Sequence, residues 1–180
     1  TIPADITVTM AAIKHGLLKL PAFEYVGDLQ VVDIGLPDDL ASLKNIQTNV
    51  AEDNLIFALL PDRPLDSHKG TFGTALIVAG SASYTGAAVL AGEAAYRVGA
   101  GLVTLAIPSN LHSAIAGQIP EATWALLPHE MGAITASASE VLAKKYERVT
   151  ALLIGPGLGT EECTEEFFKN IITQKSVQKK

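Results

Sequence analysis

The 180-residue sequence predicts an α/β fold, a mostly parallel sheet with helices on both faces in three layers. Three observations carry that expectation. Residues 75–79 (ALIVA) and 102–107 (LVTLAI) are apolar runs bounded by glycine nearby, as in strands buried on both faces. Between them, residues 87–98 are alanine-rich and helix-forming, so strand, helix and strand follow as one β-α-β unit. A further apolar run, ALLI at 151–154, precedes an amphipathic segment at 161–172, which repeats the alternation.

Each element has its own justification in chain order. Ile6, Val8 and Met10 alternate with Thr7 and Thr9, the period of a half-buried strand. Residues 14–18 form a loop, and residues 29–34 (LQVVDI) form a second strand ended by Gly35 and Pro37. Two strands and loops cannot enclose a core in some 45 residues, so this segment is expected to pack on something outside itself. Asp53 is an N-cap candidate for a helix over 54–60, which Pro61 and Pro64 end. The boundary is placed in the polar stretch 47–53, which gives domains 1–47 and 48–180. After the central unit, Ser109 is an N-cap candidate for a helix over 110–117. Residues 120–128 (PEATWALLP) hold a short strand, and 137–146 a helix with Ser137 or Ser139 near its start. Phe167, Phe168, Ile171 and Ile172 supply the apolar stripe of the last helix, and the tail SVQKK is solvated. Only three to four strands follow residue 70, against about five to six in an average sheet. The sheet therefore reads as cut short.

Composition bounds the function. Hydrophobic residues make up 48% and charged residues 18%, enough apolar material for a sizeable core. A net charge of -6 argues against a nucleic-acid surface and against an anionic membrane. Cys163 is the one cysteine, which excludes a disulfide framework and a cysteine metal cluster. No run of 18 apolar residues exists, and the first residues, TIPADITVTM, have neither the basic start nor the apolar centre of a signal peptide. A cytoplasmic location is the expectation.

The chemistry is expected at two turns. In β-α-β units, ligands sit at the carboxyl ends of the strands, where turn and helix N–H groups face outward. Residues 80–86 (GSASYTG) form the first such turn, with Gly80 and Gly86 removing side chains where the backbone would approach a ligand. The other reading is a tight strand-to-helix connection without a ligand. The turn is no Walker A loop and lacks the G-x-G-x-x-G spacing of a dinucleotide site. Residues 155–159 (GPGLG) form the second turn, alternatively a plain helix entry with Thr160 as N-cap. Both turns are expected on one sheet edge. Lys69 and Gly70 are a weaker phosphate-loop candidate, the alternative there being ordinary loop chemistry. Glu93 and Arg97, four apart on a helix, read as a solvated pair. Asp33 ends a strand and reads as structural. Cys163 has acidic neighbours and no base, which disfavours a nucleophile. His15, His112 and His129 are scattered and suggest no metal site.

The stretch HKGTFGTALIVAGSASYTGAAVLAGEAAYRVGAGLVTLAIP, followed by ALLIGPGLG, resembles the start of the NAD(P)H-hydrate dehydratases, whose fold is ribokinase-like. The upstream ADITVTMAAIKHGLL and GDLQVVDIGLP resemble the end of an NAD(P)H-hydrate epimerase, in the order found in bifunctional bacterial repair proteins. The resemblance implies repair of hydrated NADH or NADPH (NADHX, NADPHX). The ring hydroxyl is phosphorylated from ADP, or from ATP in eukaryotic relatives, and the phosphate is then eliminated. The epimerase half interconverts the hydrate epimers. Mg2+ would accompany the nucleotide and K+ the epimerase. By motif match, Ala87 and Gly157 fall where the family contacts the hydrate, with Gly86, Gly155, Lys69 and Gly70 as further candidates. The family's Thr-Pro-His-Pro segment, Lys-Gly nucleotide stretch and Gly-Thr-Gly-Asp motif with the catalytic aspartate do not occur here, nor do the epimerase's Asn-Gly loop and K+-binding aspartate. The catalytic residue is therefore unassigned, and the chain reads as a piece spanning the domain junction, inactive alone. A homo-oligomer is expected of the longer protein. The alternative is a noncatalytic nucleotide-binding or interaction module of the same fold.

Overall fold

In a computed structural model, residues 2–37 and 39–173 are described. The tail SVQKK lies outside them. The chain divides into two compact units, Thr1–Pro61 and Asp62–Lys180. The division falls after Pro61, beyond the polar stretch where composition put it. The helix Asp53–Leu59 is part of the first unit, and the break coincides with Pro61 and Pro64, which end helical structure.

In the first unit, β1 (Ile6–Met10) and β2 (Asp28–Val32) pair in parallel, with Ile6 opposite Asp28 and Met10 opposite Val32. The expected burial of β1 is inverted. Ile6, Val8 and Met10 are 56%, 59% and 62% exposed, while Thr9 is buried. The threonines face inward because their hydroxyls have backbone partners: Thr7 Oγ1 donates to Val26 O at 2.6 Å and Thr9 Oγ1 to Ala12 O at 3.1 Å. Among the described residues the apolar face is exposed, in keeping with a segment too small to enclose it. Asp33 is structural, as read: its Oδ1 accepts from Gly35 N at 2.8 Å, an Asx turn that ends the strand. Two short helices follow, α1 (Ala41–Lys44) and α2 (Asp53–Leu59). Asp53 lies inside the first turn of α2, Glu52 holds the cap position, and no side chain caps it.

In the second unit, a four-stranded sheet runs in the order β5-β4-β3-β8, all pairs parallel. Its strands are β3 (Thr74–Val78), β4 (Leu102–Pro108), β5 (Thr123–Leu127) and β8 (Ala151–Ile154). Helix α3 (Thr85–Arg97) crosses from β3 to β4. A three-residue 3-10 turn, Ser109–Leu111, and α4 (His112–Ile115) lead to β5. Ser109 thus sits inside the 3-10 turn and caps nothing, and Pro108 precedes it. Two-residue strands β6 (His129–Glu130) and β7 (Ala133–Ile134) form an antiparallel hairpin, which periodicity cannot reveal in so few residues. Helices α5 (Ala138–Ala143) and α6 (Glu162–Thr173) complete the unit. Ser137 occupies the cap position of α5, but its hydroxyl pairs with Thr135 Oγ1 at 3.1 Å instead of a helix N–H.

Alternation along β3 builds both cores. Leu76 and Val78 pack with Leu127, Ile134, Leu142, Phe167 and Ile171 on one face. Ile77 and Ala79 pack with Ala88, Leu105, Ile107, Leu111 and Ile115 on the other. The result is the expected three layers. On α6 the stripe is narrower than predicted: Phe167 and Ile171 are buried, but Phe168 is 40% and Ile172 55% exposed. The solvated pair is as read, Arg97 to Glu93 at 3.5 Å. Among the described residues, no helix is long and apolar enough to cross a membrane.

Tyr146 packs in the core beside Val149 and Phe167, and burial pushes its phenol above the ordinary value of 10.0. A raised folded-state value stabilises the protein below the unfolded phenol's pKa, and that contribution fades as pH rises through the folded value. Stability of the native chain should therefore fall above about pH 10. In Tyr146→Phe that alkaline loss should shrink, read as the thermal midpoint between pH 8 and 11. Equal alkaline slopes for the two proteins would contradict the assignment.

Candidate functional site: a crevice at the switch point of the sheet

The strand order sets where a crevice can open. From β3 the chain crosses to β4 on one side, whereas β8 lies against β3 on the other. The helices that follow β3 and β8 cover opposite faces: Ala88 of α3 belongs to one core and Phe167 of α6 to the other. The carboxyl ends of β3 and β8 are thus a topological switch point, where open α/β sheets bind ligands. Val78 and Ile154, the last residues of the two strands, are register partners. The two predicted turns therefore leave the sheet side by side.

They are joined directly. Gly80 N donates to Pro156 O at 2.8 Å, and Gly155 N donates to Val78 O at 3.2 Å. Gly80 has φ +81°, a left-handed conformation that glycine adopts freely, and this lets the chain turn off β3 into that bond. Gly157, at φ +67°, meets the start of α3 so closely that a Cβ there would lie 2.6 Å from Ala87 Cβ and 2.9 Å from Tyr84 O. Of the two glycines of the first turn, only Gly80 has the left-handed conformation. Gly86 lies in the first turn of α3 without positive φ, and a Cβ on it would meet nothing within 4 Å, so Gly80 makes the turn.

Between the turns lies a crevice of about 480 Å³, lined by Tyr84, Ala87, Gly155, Gly157 and Thr160 among others. Its volume falls within the roughly 300–1,000 Å³ usual for small-molecule sites. Helix α3 is 13 residues long and begins at this edge. Its N-terminal end brings about half a positive charge to the crevice.

The structure thus brings Ala87, Gly157, Gly86 and Gly155 to one edge. Lys69 and Gly70 are not among them. Lys69 O lies where a Cβ on Gly101 would fall, and Gly101 directly precedes β4, so this loop stands at the amino ends of the strands. Thr160 is not the cap of α6, because Thr164 N and Glu165 N both donate to Glu161 O, at 3.0 and 3.1 Å. On the outer face of α6, Lys169 Nζ sits 2.7 Å from Glu165 Oε1; this hydrogen-bonded contact holds the carboxyl below its ordinary range and raises the ammonium. Both groups are fully solvated, so the pair adds little.

Sequence reasoning missed the β6–β7 hairpin and its neighbour Ser81. Ala82 N donates to Gly132 O at 3.0 Å, which ties the hairpin to the first turn. Met131, at its tip, has φ +48°, unusual for a residue with a side chain. The Met131-Gly132 pair between short apolar runs was the available turn signal. Among the described residues no group of three or more His, Cys, Asp or Glu side chains could hold a metal ion.

The sequence pattern of the NAD(P)H-hydrate dehydratase family matches residues 75–177. The chain is 35% identical over 177 residues to the bifunctional NAD(P)H-hydrate repair enzyme Nnr of Moorella thermoacetica, covering 98% of this chain and 33% of that protein. It is 38% identical over 121 residues to the ADP-dependent (S)-NAD(P)H-hydrate dehydratase of Listeria monocytogenes, covering 67% and 40%. The chain thus spans about a third of the bifunctional relatives it matches. Among solved structures, a ribokinase-like superfamily protein of Enterococcus faecalis superposes with a TM-score of 0.56 at 25% identity, over 72% of this chain and 45% of that one. The ADP/ATP-dependent NAD(P)H-hydrate dehydratase of Bacillus subtilis, co-crystallised with ATP/Mg2+, superposes with a TM-score of 0.50 at 35% identity, over 67% and 40%. A ribokinase-like parallel sheet, a crevice at its switch point and a family pattern that runs through both turns lead to one assignment: this chain belongs to the NAD(P)H-hydrate dehydratase family.

Proposed function

We propose that this chain supplies the hydrate-binding edge of an ADP-dependent NAD(P)H-hydrate dehydratase, and that residues 1–47 are the end of an NAD(P)H-hydrate epimerase domain. The observation that carries the reading is the pair of turns joined through Gly80 and Pro156, with Ala87 against Gly157, at the mouth of one crevice. In this reading the hydrated nicotinamide ring lies across Ala87 and Gly157, while Gly86 and Gly155 keep the approach free of side chains. Lys69 and Gly70 stand at the far edge and take no part. ADP gives its terminal phosphoryl group to the ring hydroxyl, leaving AMP. Phosphate then departs with its C–O bond electrons as the ring loses a proton, and the double bond is restored. What the residues of this chain do is bind and orient the ring. The phosphoryl chemistry comes from the nucleotide and from residues outside this sequence, with Mg2+ expected beside the nucleotide and K+ in the epimerase part. The reading also implies a cytoplasmic protein that works as a homo-oligomer in its longer form.

The test gives hydrated NADH and ADP to this chain and to the full-length product of its gene, following the return of absorbance of NADH. The longer protein should turn the hydrate over with one AMP formed per NADH, and the 180-residue chain should bind the hydrate without turnover. A full-length protein that neither binds nor converts the hydrate would defeat the proposal in favour of a noncatalytic module.

A further inference from the structure

Among the described residues, Tyr84 is the one aromatic side chain that lines the crevice. It holds the cap position of α3, and its backbone is pinned on both sides: Tyr84 N donates to Ser81 O at 3.0 Å, and Tyr84 O accepts from Ala87 N at 3.3 Å. Its side chain starts where the hydrate ring is placed. A Cβ built on Gly157 would lie 2.6 Å from Ala87 Cβ and 2.9 Å from Tyr84 Cβ, so both side chains root against the α-carbon of Gly157. The phenol ring belongs to neither core, and Tyr84 is 58% exposed. A single exposed aromatic is ordinary on a protein surface. What sets Tyr84 apart is a fixed backbone at the mouth of a cleft whose neighbouring wall is one methyl group and a glycine. Ala87 and Gly157 can touch a six-membered ring on one side only, and a ring so held is free to tilt. A tyrosine supplies the missing wall: a broad, stiff face with two rotatable bonds, which costs little entropy to hold in place. Water reaches that face before the ligand arrives, so covering it is favourable.

We infer that the phenol ring of Tyr84 is the side wall of the hydrate site and lays its face on the hydrated nicotinamide ring above Ala87 and Gly157, an assignment that rests on the hydrate-binding reading above. The contact is made by the ring face, and the hydroxyl stays in water. Packing of this kind is the same before and during the chemical step, so Tyr84 sets the affinity for the hydrate and not the rate of its conversion.

The experiment follows turnover of hydrated NADH at saturating ADP by the full-length protein, unaltered and as Tyr84→Phe and Tyr84→Ala. Covering about half of the 150–250 Å² of a tyrosine corresponds to roughly 10–100-fold in affinity. Tyr84→Ala should therefore raise KM by roughly 10–100-fold and leave kcat within about threefold, while Tyr84→Phe should keep KM within about threefold of the unaltered protein. The three thermal midpoints should agree within about 2 °C, because an exposed ring adds little to stability. A KM for Tyr84→Ala equal to that of the unaltered protein, a Tyr84→Phe as weak as Tyr84→Ala, a loss confined to kcat, or a clearly lowered midpoint for Tyr84→Ala would each overturn the wall. If the unaltered protein converts the hydrate and Tyr84→Ala matches it, the wall alone fails. If the unaltered protein neither binds nor converts the hydrate, the functional reading fails and takes the wall with it.

Discussion

Gly157→Ala is expected to lose both stability and the crevice. Its φ of +67° carries a strain of about 1–2 kcal/mol for a residue with a Cβ. The new methyl would also fall 2.6 Å from Ala87 Cβ and 2.9 Å from the backbone oxygen of Tyr84, and neither can swing away. Overpacking of this kind adds roughly 1–3 kcal/mol. The turn must therefore move off the start of α3, which separates the two walls of the crevice. The measurements are chemical denaturation and hydrate binding, and both should fall together. Gly86→Ala is the contrast. Its Cβ meets nothing within 4 Å, and alanine is the better helix former by about 1 kcal/mol, so stability should hold or rise. A Gly157→Ala protein with native stability would mean that the close contact between the turns is wrong. Reduced hydrate binding in a fully stable Gly86→Ala would mark that position as one the ligand approaches.

Phe167→Ala should destabilise the second unit by roughly 3–5 kcal/mol, the range for removing a buried aromatic ring. Phe167 is 0% exposed and packs against the sheet with Leu76, Leu127 and Ile134. The loss is a large share of the roughly 5–15 kcal/mol that holds an ordinary domain together. Its neighbour Phe168 is 40% exposed, and Phe168→Ala should change stability by less than about 1 kcal/mol. Urea unfolding of the two variants measures the difference. Equal losses would show that α6 is rotated from the arrangement described here.

Most of the strands and helices of the second unit could be read from residue order, because a parallel sheet covered on both faces needs continuous apolar runs. The runs at 75–79, 102–107 and 151–154 became β3, β4 and β8 within a residue or two. Errors gathered where a hydroxyl had a choice of partners. Ser109 looked like a cap, yet it lies inside a 3-10 turn. The inverted β1 has the same origin, since Thr7 and Thr9 turn inward to bond carbonyls while Ile6, Val8 and Met10 face out. The crevice was half legible. Ala87, Gly155 and Gly157 stand in recognisable turns, but nothing in their order said that Gly80 would donate to Pro156.

By itself the sequence determined the class of fold, the two turns and the family, because buried strands, helix formers and glycine-bearing turns leave local patterns along a chain. Tertiary structure alone decided that both turns meet at the switch point, that Lys69 and Gly70 stand at the other end of the strands, and that Tyr84 roots against Gly157. Those facts depend on which strands pair and on contacts between residues some 30 to 80 positions apart, and no local pattern encodes such distances.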